Sequence, residues 1–169
     1  MSDMTVDPTL DRLLRHMAWA NAELLAGLGA LPDDALVRAA PRNEWTVAMI
    51  LEHLVRAAGN YAARLEGVPR AEPTPPPTTV AEVAQLARNC AAFDARLRTQ
   101  AAVPDGPVEY EGDEGTVRRA RSTILGQAIH HATEHRAQIA AALATNGIDA
   151  IDLDALDVWA YGDAEGLGA

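Results

Sequence analysis

Five histidines stand in the sequence, and the chemistry on offer depends on which of them share a face. His131 and His135 are four residues apart, a spacing that lets two imidazoles on one helix face grip a single ion. With Ile124 taken as zero and about 100° of rotation per residue, Ala128 lies at about 40° and Ile139 at about 60°. On that scale His131 falls at about −20° and His135 at about 20°, inside the apolar stripe, whereas His130 falls at about −120°, on the wet side. The same arithmetic places His16 opposite the apolar stripe of its helix, and His53 at the edge of its own. Three histidines can therefore point inward and two cannot. Two buried imidazoles without partners are costly. A third imidazole from a facing helix completes a three-nitrogen set that leaves a coordination position open for water or substrate. The segment His131-Ala132-Thr133-Glu134-His135 is not the zinc-protease motif, because its glutamate precedes the second histidine and points away from the pair.

Other polar residues fall on inward stripes. Asn21 lies mid-stripe, where a buried amide needs partners; it either orients a ligand histidine from behind or is a hydrogen-bonded core amide. Asp94 lies near a stripe and is read as a salt-bridged or partly exposed carboxylate before a metal ligand. Cys90 reads as a small buried hydrophobe. Trp45 reads as an anchor for the start of its helix, and Arg136 faces away from its histidine neighbour.

Helices are the elements that can position these groups. Apolar residues make up 49% of the 169-residue chain but aromatics only 4%, so the core rests on Leu, Val, Ile and Ala. Alanine has the best helix propensity, and no alternating Val/Ile runs stand out. The expected fold is all-α, in one domain over residues 1–169. Asp7 and Pro8 start a first helix, which Pro32 stops, and one helical turn is expected near Pro32–Leu36. Thr46 opens a second helix, ended by Gly67. Residues 68–78 hold five prolines, a stiff extended crossover. A third helix runs from about Thr79 to Ala101. Residues 103–115 read as a loop, and a fourth helix spans about Thr116 to Thr145, stopped by Asn146-Gly147. A short amphipathic piece covers Leu153 to about Tyr161. The architecture expected is a four-helix bundle with at least one crossover connection and a short C-terminal helical segment.

Composition excludes several functions. Fourteen basic against 24 acidic residues give a net charge of −10, the wrong sign for neutralising phosphates, and Arg118–Arg119 with Arg121 is the largest basic cluster. Nucleic acid is not an expected partner. A lone cysteine excludes an intramolecular disulfide and a Cys-rich zinc site. The polar start Met1-Ser2-Asp3-Met4 is unlike a signal peptide, and no apolar run approaches the ~20 residues of a membrane span. The expected location is the cytoplasm.

At Trp19-Ala20-Asn21, Glu44-Trp45-Thr46, Leu51-Glu52-His53-Leu54 and His130 to Ile139, the chain resembles the DinB/YfiT-like family of metalloenzymes over nearly its whole length. Ala137 stands where that family often has glycine. The resemblance implies a metal-binding triad of His53, His131 and His135, the same three residues selected by face. It also implies a four-helix bundle, a homodimer, and a divalent metal such as zinc, nickel or iron. Imidazole ligands alone do not choose among such metals. The activities it implies are those of metal-dependent S-transferases and isomerases that use a low-molecular-weight thiol (mycothiol, bacillithiol or glutathione). Hydrolysis of a small-molecule substrate and a non-catalytic metal-binding or stress-response module are the alternatives.

Overall fold

The computed structural model describes residues 6–167; the polar stretch Met1–Met4 and the last two residues of the expected domain lie outside them. The described chain is mostly helical and carries one small two-stranded antiparallel sheet. The helices are α1 (Pro8–Gly29), α2 (Val47–Glu66), α3 (Val80–Gln100), α4 (Arg121–Ala144) and α5 (Val158–Ala164), and the strands β1 (Pro107–Gly112) and β2 (Gly115–Ala120) lie between α3 and α4. Short 3₁₀ turns at Asp33–Val37 and Asp154–Leu156 complete the elements.

The helix limits follow local chemistry. The Asp7 carboxylate accepts from the Leu10 amide with Pro8 in the first turn. The Thr46 hydroxyl accepts from the Met49 amide, and Gly67, at φ 68°, closes α2 in the left-handed region that glycine enters freely.

Four long helices pack in a ring, α1 on α3, α3 on α2, α2 on α4 and α4 on α1. Side-chain pairs give the directions. Asp11 meets Arg98 and Asn21 meets Asp94, so α1 and α3 are antiparallel. Gly59 faces Phe93 and Glu66 meets Arg96, so α2 and α3 run parallel. A parallel pair needs a return along its whole length. Residues 67–79 span roughly 40 Å at about 3.1 Å per residue, enough to retrace the roughly 30 Å of α2 at 1.5 Å per residue. Arg70 donating to the Glu111 carbonyl (2.9 Å) and the Val80 amide donating to Asp33 (2.7 Å) hold the segment in place.

Residues 103–115 are not simply a loop, and α4 begins at Arg121 rather than Thr116. The strands pair Val108 with Arg119, Glu109 with Arg118 and Tyr110 with Val117. One face carries Val108, Tyr110 and Arg119; Val108 is buried against the helices, and charged Glu109 and Arg118 lie opposite one another on the other face. The hairpin turn demands its glycines. A Cβ on Gly112 would lie 2.7 Å from Val117 Cγ2, and Gly115 adopts φ 112°.

Two apolar clusters fill the interior. One joins Leu24, Leu28, Ile50, Leu51, Leu54, Val83 and Leu143; the other joins Leu14, Met17, Ala62, Leu97, Ile124 and Leu125. Asn21, Asp94 and Arg136 form a buried polar layer across α1, α3 and α4. His16, expected opposite the apolar stripe of its helix, is buried all the same. It does lie off the four-helix core, but it is 7% exposed because residues 154–164 cover that side of α1. Its Nε2–H donates to the Leu156 carbonyl at 2.8 Å, and its ring packs near Trp19 and Tyr161. Among the described residues no helix is long and apolar enough to cross a membrane.

Candidate metal centre

Helices α2 and α4 are antiparallel neighbours, and their facing stripes bring three imidazoles together. His131 Nε2 lies 3.1 Å from His53 Nε2 and 3.0 Å from His135 Nε2. His135 is buried, while His53 and His131 are half-buried, so the cluster sits just beneath the surface with one side toward solvent. Among the described residues these three form the group whose donor atoms could hold a metal ion, all within 4.8 Å of one another. Asp94 is not in it. His130 is exposed and does not take part, and Glu134 is exposed as well.

Proton counting shows what the cluster lacks. A neutral imidazole nitrogen carries either a proton or a lone pair in its ring plane. Arg56 Nη2 lies 3.2 Å from His53 Nδ1 and can only donate, which puts the His53 proton on Nε2. Gln138 Oε1 lies 2.6 Å from His135 Nδ1, with the Gln138 amide nitrogen turned to Glu134 Oε1, so His135 keeps its proton on Nδ1 and its lone pair on Nε2. His131 Nε2 stands between a proton on one side and a lone pair on the other. Holding a lone pair, it accepts from His53 and confronts the lone pair of His135. Holding a proton, it donates to His135 and confronts the proton of His53. Neutral rings satisfy one of the two contacts while Arg56 stays in place.

A cation taking three Nε2 lone pairs removes that conflict. Nitrogen donors about 2.0–2.1 Å from a tetrahedral zinc stand roughly 3.3 Å apart, close to the two spacings seen. Burial, followed by the charges that His135 and His53 would carry, holds His131 down to about 4. Burial likewise lowers His53, with His135 and Arg56 adding to the shift. Both are neutral at pH 7, the form a metal requires. The donor set thus suits a divalent cation, on one condition: Arg56 must leave His53 Nδ1. Glu52 holds Arg56 through a 2.8 Å ion pair.

That condition has a measurable consequence. An Arg56→Gln variant should bind zinc several-fold to tenfold more tightly in competition with a chromophoric chelator. It loses both the contact that opposes the ligating tautomer and a repulsion of roughly 1 kcal/mol per unit charge at contact distance in water-like surroundings. Weaker binding would refute this role for Arg56.

Aromatic rings frame the cluster. Trp45, expected only to anchor the start of α2, stands edge-on to His53 with centroids 5.0 Å apart and stacks on His135 at 6.5 Å. It is 39% exposed, and Met49, one turn before His53, is 38% exposed. Tyr61 meets the edge of His131 at 5.6 Å. Among the described residues Asn21 hydrogen-bonds to no ligand histidine; it donates to Asp94 Oδ2 at 3.0 Å and accepts from Arg136 Nη1 at 2.8 Å. Cys90 Sγ donates to Asp94 Oδ2 (3.6 Å), and burial drives its thiol pKa far up, which leaves it unreactive. Gln138 and Arg56 went unnoticed in the sequence although each lies three residues after a candidate histidine, a spacing that places side chains on one face.

The sequence model of the DinB family matches residues 1–162. No curated protein matches the chain.

Proposed function

The chain belongs to the DinB family, and from that premise we propose that it is a metal-dependent enzyme whose His53, His131 and His135 hold one divalent cation, zinc, nickel or iron. The observation that carries this reading is the donor count. Among the described residues three imidazoles converge and no fourth protein donor joins them. A site closed by four protein ligands would favour the non-catalytic metal-binding module; three leave room for a reacting molecule. When bound there, a divalent cation lowers the pKa of a coordinated water or thiol and polarises a substrate oxygen.

The chain's own residues supply the rest. Gln138 fixes the His135 ring through Nδ1–H, directing its lone pair at the centre. Trp45 and Met49 offer an exposed apolar wall beside the open side, suited to the carbon skeleton of a small substrate. No carboxylate belongs to the cluster, so a proton released on activation passes to solvent or to the second substrate. We read the reaction as transfer of a low-molecular-weight thiol to an electrophile, or isomerisation assisted by such a thiol, with hydrolysis of a small substrate as the nearer alternative. The ring of four helices, in which the consecutive pair α2 and α3 runs parallel, supports a four-helix bundle with one crossover, forming a single domain. The 85% exposed Trp159 and its neighbour Val158 on α5 offer apolar surface to a second copy, which supports a homodimer. The absence of a sizeable basic cluster argues against a nucleic-acid partner, and we place the protein in the cytoplasm.

Tag-free protein reconstituted with zinc or nickel should consume thiols in the presence of electrophiles, and His135→Ala should not. Metal-replete protein that is inert across thiols, electrophiles and small esters would overturn the enzymatic reading.

A further inference from the structure

Beside His131, between the four long helices, lies a small cavity of about 10 Å³. Asn21, Tyr61, Asp94 and His131 line it together with Met17 and Leu97. Its size is at the lower limit of the roughly 10–15 Å³ that one water requires. One wall holds an anomaly. Asp94 is 2% exposed; its Oδ2 accepts from Asn21 and Cys90, yet its Oδ1 is buried with no hydrogen-bond partner. A buried carboxylate oxygen without a donor is rare and calls for an unseen partner. His131 is in the complementary situation. Both hydrogen-bond contacts of its ring are made by Nε2, and among the described residues no protein group hydrogen-bonds to Nδ1.

We infer that one ordered water occupies this cavity, donates to Asp94 Oδ1 and accepts from His131 Nδ1–H, so that Asp94 positions His131 with its Nε2 lone pair toward the cation. The ionised carboxylate oxygen can only accept, so the water gives it one hydrogen. The water's second hydrogen and its lone pair both fit the imidazole, and the negative charge of Asp94 favours the lone pair, with His131 carrying its proton on Nδ1 and the positive end of that N–H dipole toward the carboxylate. This is the tautomer a metal ligand needs, held by a carboxylate behind the ring. It also decides the conflict described above: with its Nε2 unprotonated, His131 accepts from His53, and the unresolved contact is with His135. Arg136 and Asn21 hold the carboxylate in turn, Arg136 donating to Asn21 and Asn21 to Asp94. Asp94 is therefore a positioning residue, tied into a chain that runs from α4 through α1 and α3 back to α4. This inference rests on the metal-binding reading for its purpose, but its geometry can be tested without metal.

Asp94→Asn reverses the relay while keeping the shape. Asn21 and Cys90 require an acceptor at the Oδ2 position, so the new amide nitrogen takes the place of Oδ1 and donates to the water. The water then donates to His131 Nδ1, which pushes the His131 proton onto Nε2. Long-range ¹H–¹⁵N correlation spectra of the metal-free protein read the tautomer directly. Wild type should show His131 protonated on Nδ1, and Asp94→Asn should show it protonated on Nε2. Zinc affinity, measured by competition with a chelator, should fall by about 10–100-fold in the variant. A carboxylate that merely supported the fold would change the melting temperature and leave tautomer and affinity alone, and that result would overturn the proposal. So would an Nε2-protonated His131 in wild type, a measurement that holds even where the variant does not fold. Wild-type protein that binds no zinc would sink the metal reading, while the spectra would still decide the relay.

Discussion

Replacing His131 with alanine is expected to cost the protein its cation. Structural zinc sites gain about 10–16 kcal/mol from about four ligands, or roughly 3–4 kcal/mol each. Losing one ligand of the three protein donors therefore weakens binding by about 100- to 1000-fold, at 1.4 kcal/mol per factor of ten. His131 is the sharpest choice because its Nε2 is the atom shared by both short contacts. Thermal melting supplies a second reading. Metal at 1000 times its Kd stabilises the wild type by about 4.1 kcal/mol, and at the same concentration the variant should keep only about 0.4–1.4 kcal/mol of that rise. An affinity within threefold of wild type would show that His131 does not ligate.

Asn21→Leu is expected to produce the largest loss of stability, for a different reason. Asn21 is 1% exposed and joins two buried groups of opposite sign, donating to Asp94 and accepting from Arg136. Leucine has the same branched shape but is larger and carries no polar atom. Asp94 Oδ2 then keeps only the weak thiol donor, and Arg136 Nη1 loses its acceptor. Burial already works against both charges, raising the pKa of Asp94 and lowering that of Arg136 to about 10. Stranding partly compensated charges of this kind costs about 3–5 kcal/mol. Urea denaturation of metal-free protein should show a fall of that size. A change below about 1 kcal/mol would mean that the layer is not a connected network.

The residues that were legible in the sequence share one property: a single helix decides their direction. His131 and His135 could be placed from rotation per residue alone, and so could the exposed His130. His53 was marginal by the same arithmetic, and it is indeed half-buried; the family resemblance carried it. His16 does lie off the apolar stripe as the arithmetic places it, but its burial depends on residues 154–164, some 140 positions away, which no helical wheel contains. The strands at 107–120 are hidden by composition, since Gly, Pro, Asp and Glu make 103–115 read as a loop and leave β2 to be read as the first turn of the fourth helix. Alternation of Val108 and Tyr110 with glutamates was the available signal. The Asn21–Asp94–Arg136 layer was seen only as separate polar residues, because their meeting depends on the relative rotation of three helices. Trp45 could not be assigned to the cluster for a similar reason: it lies just before α2, where face arithmetic does not apply.

X-ray absorption at the zinc edge tests the three-imidazole centre most directly. Zinc-loaded wild type should contain one ion per chain, with three nitrogen donors showing the outer-shell scattering of imidazole rings and the remaining position filled by a light atom. His53→Ala should lose either one imidazole shell or the ion altogether. Zinc bound without imidazole scattering, or an unchanged spectrum in His53→Ala, would contradict the site.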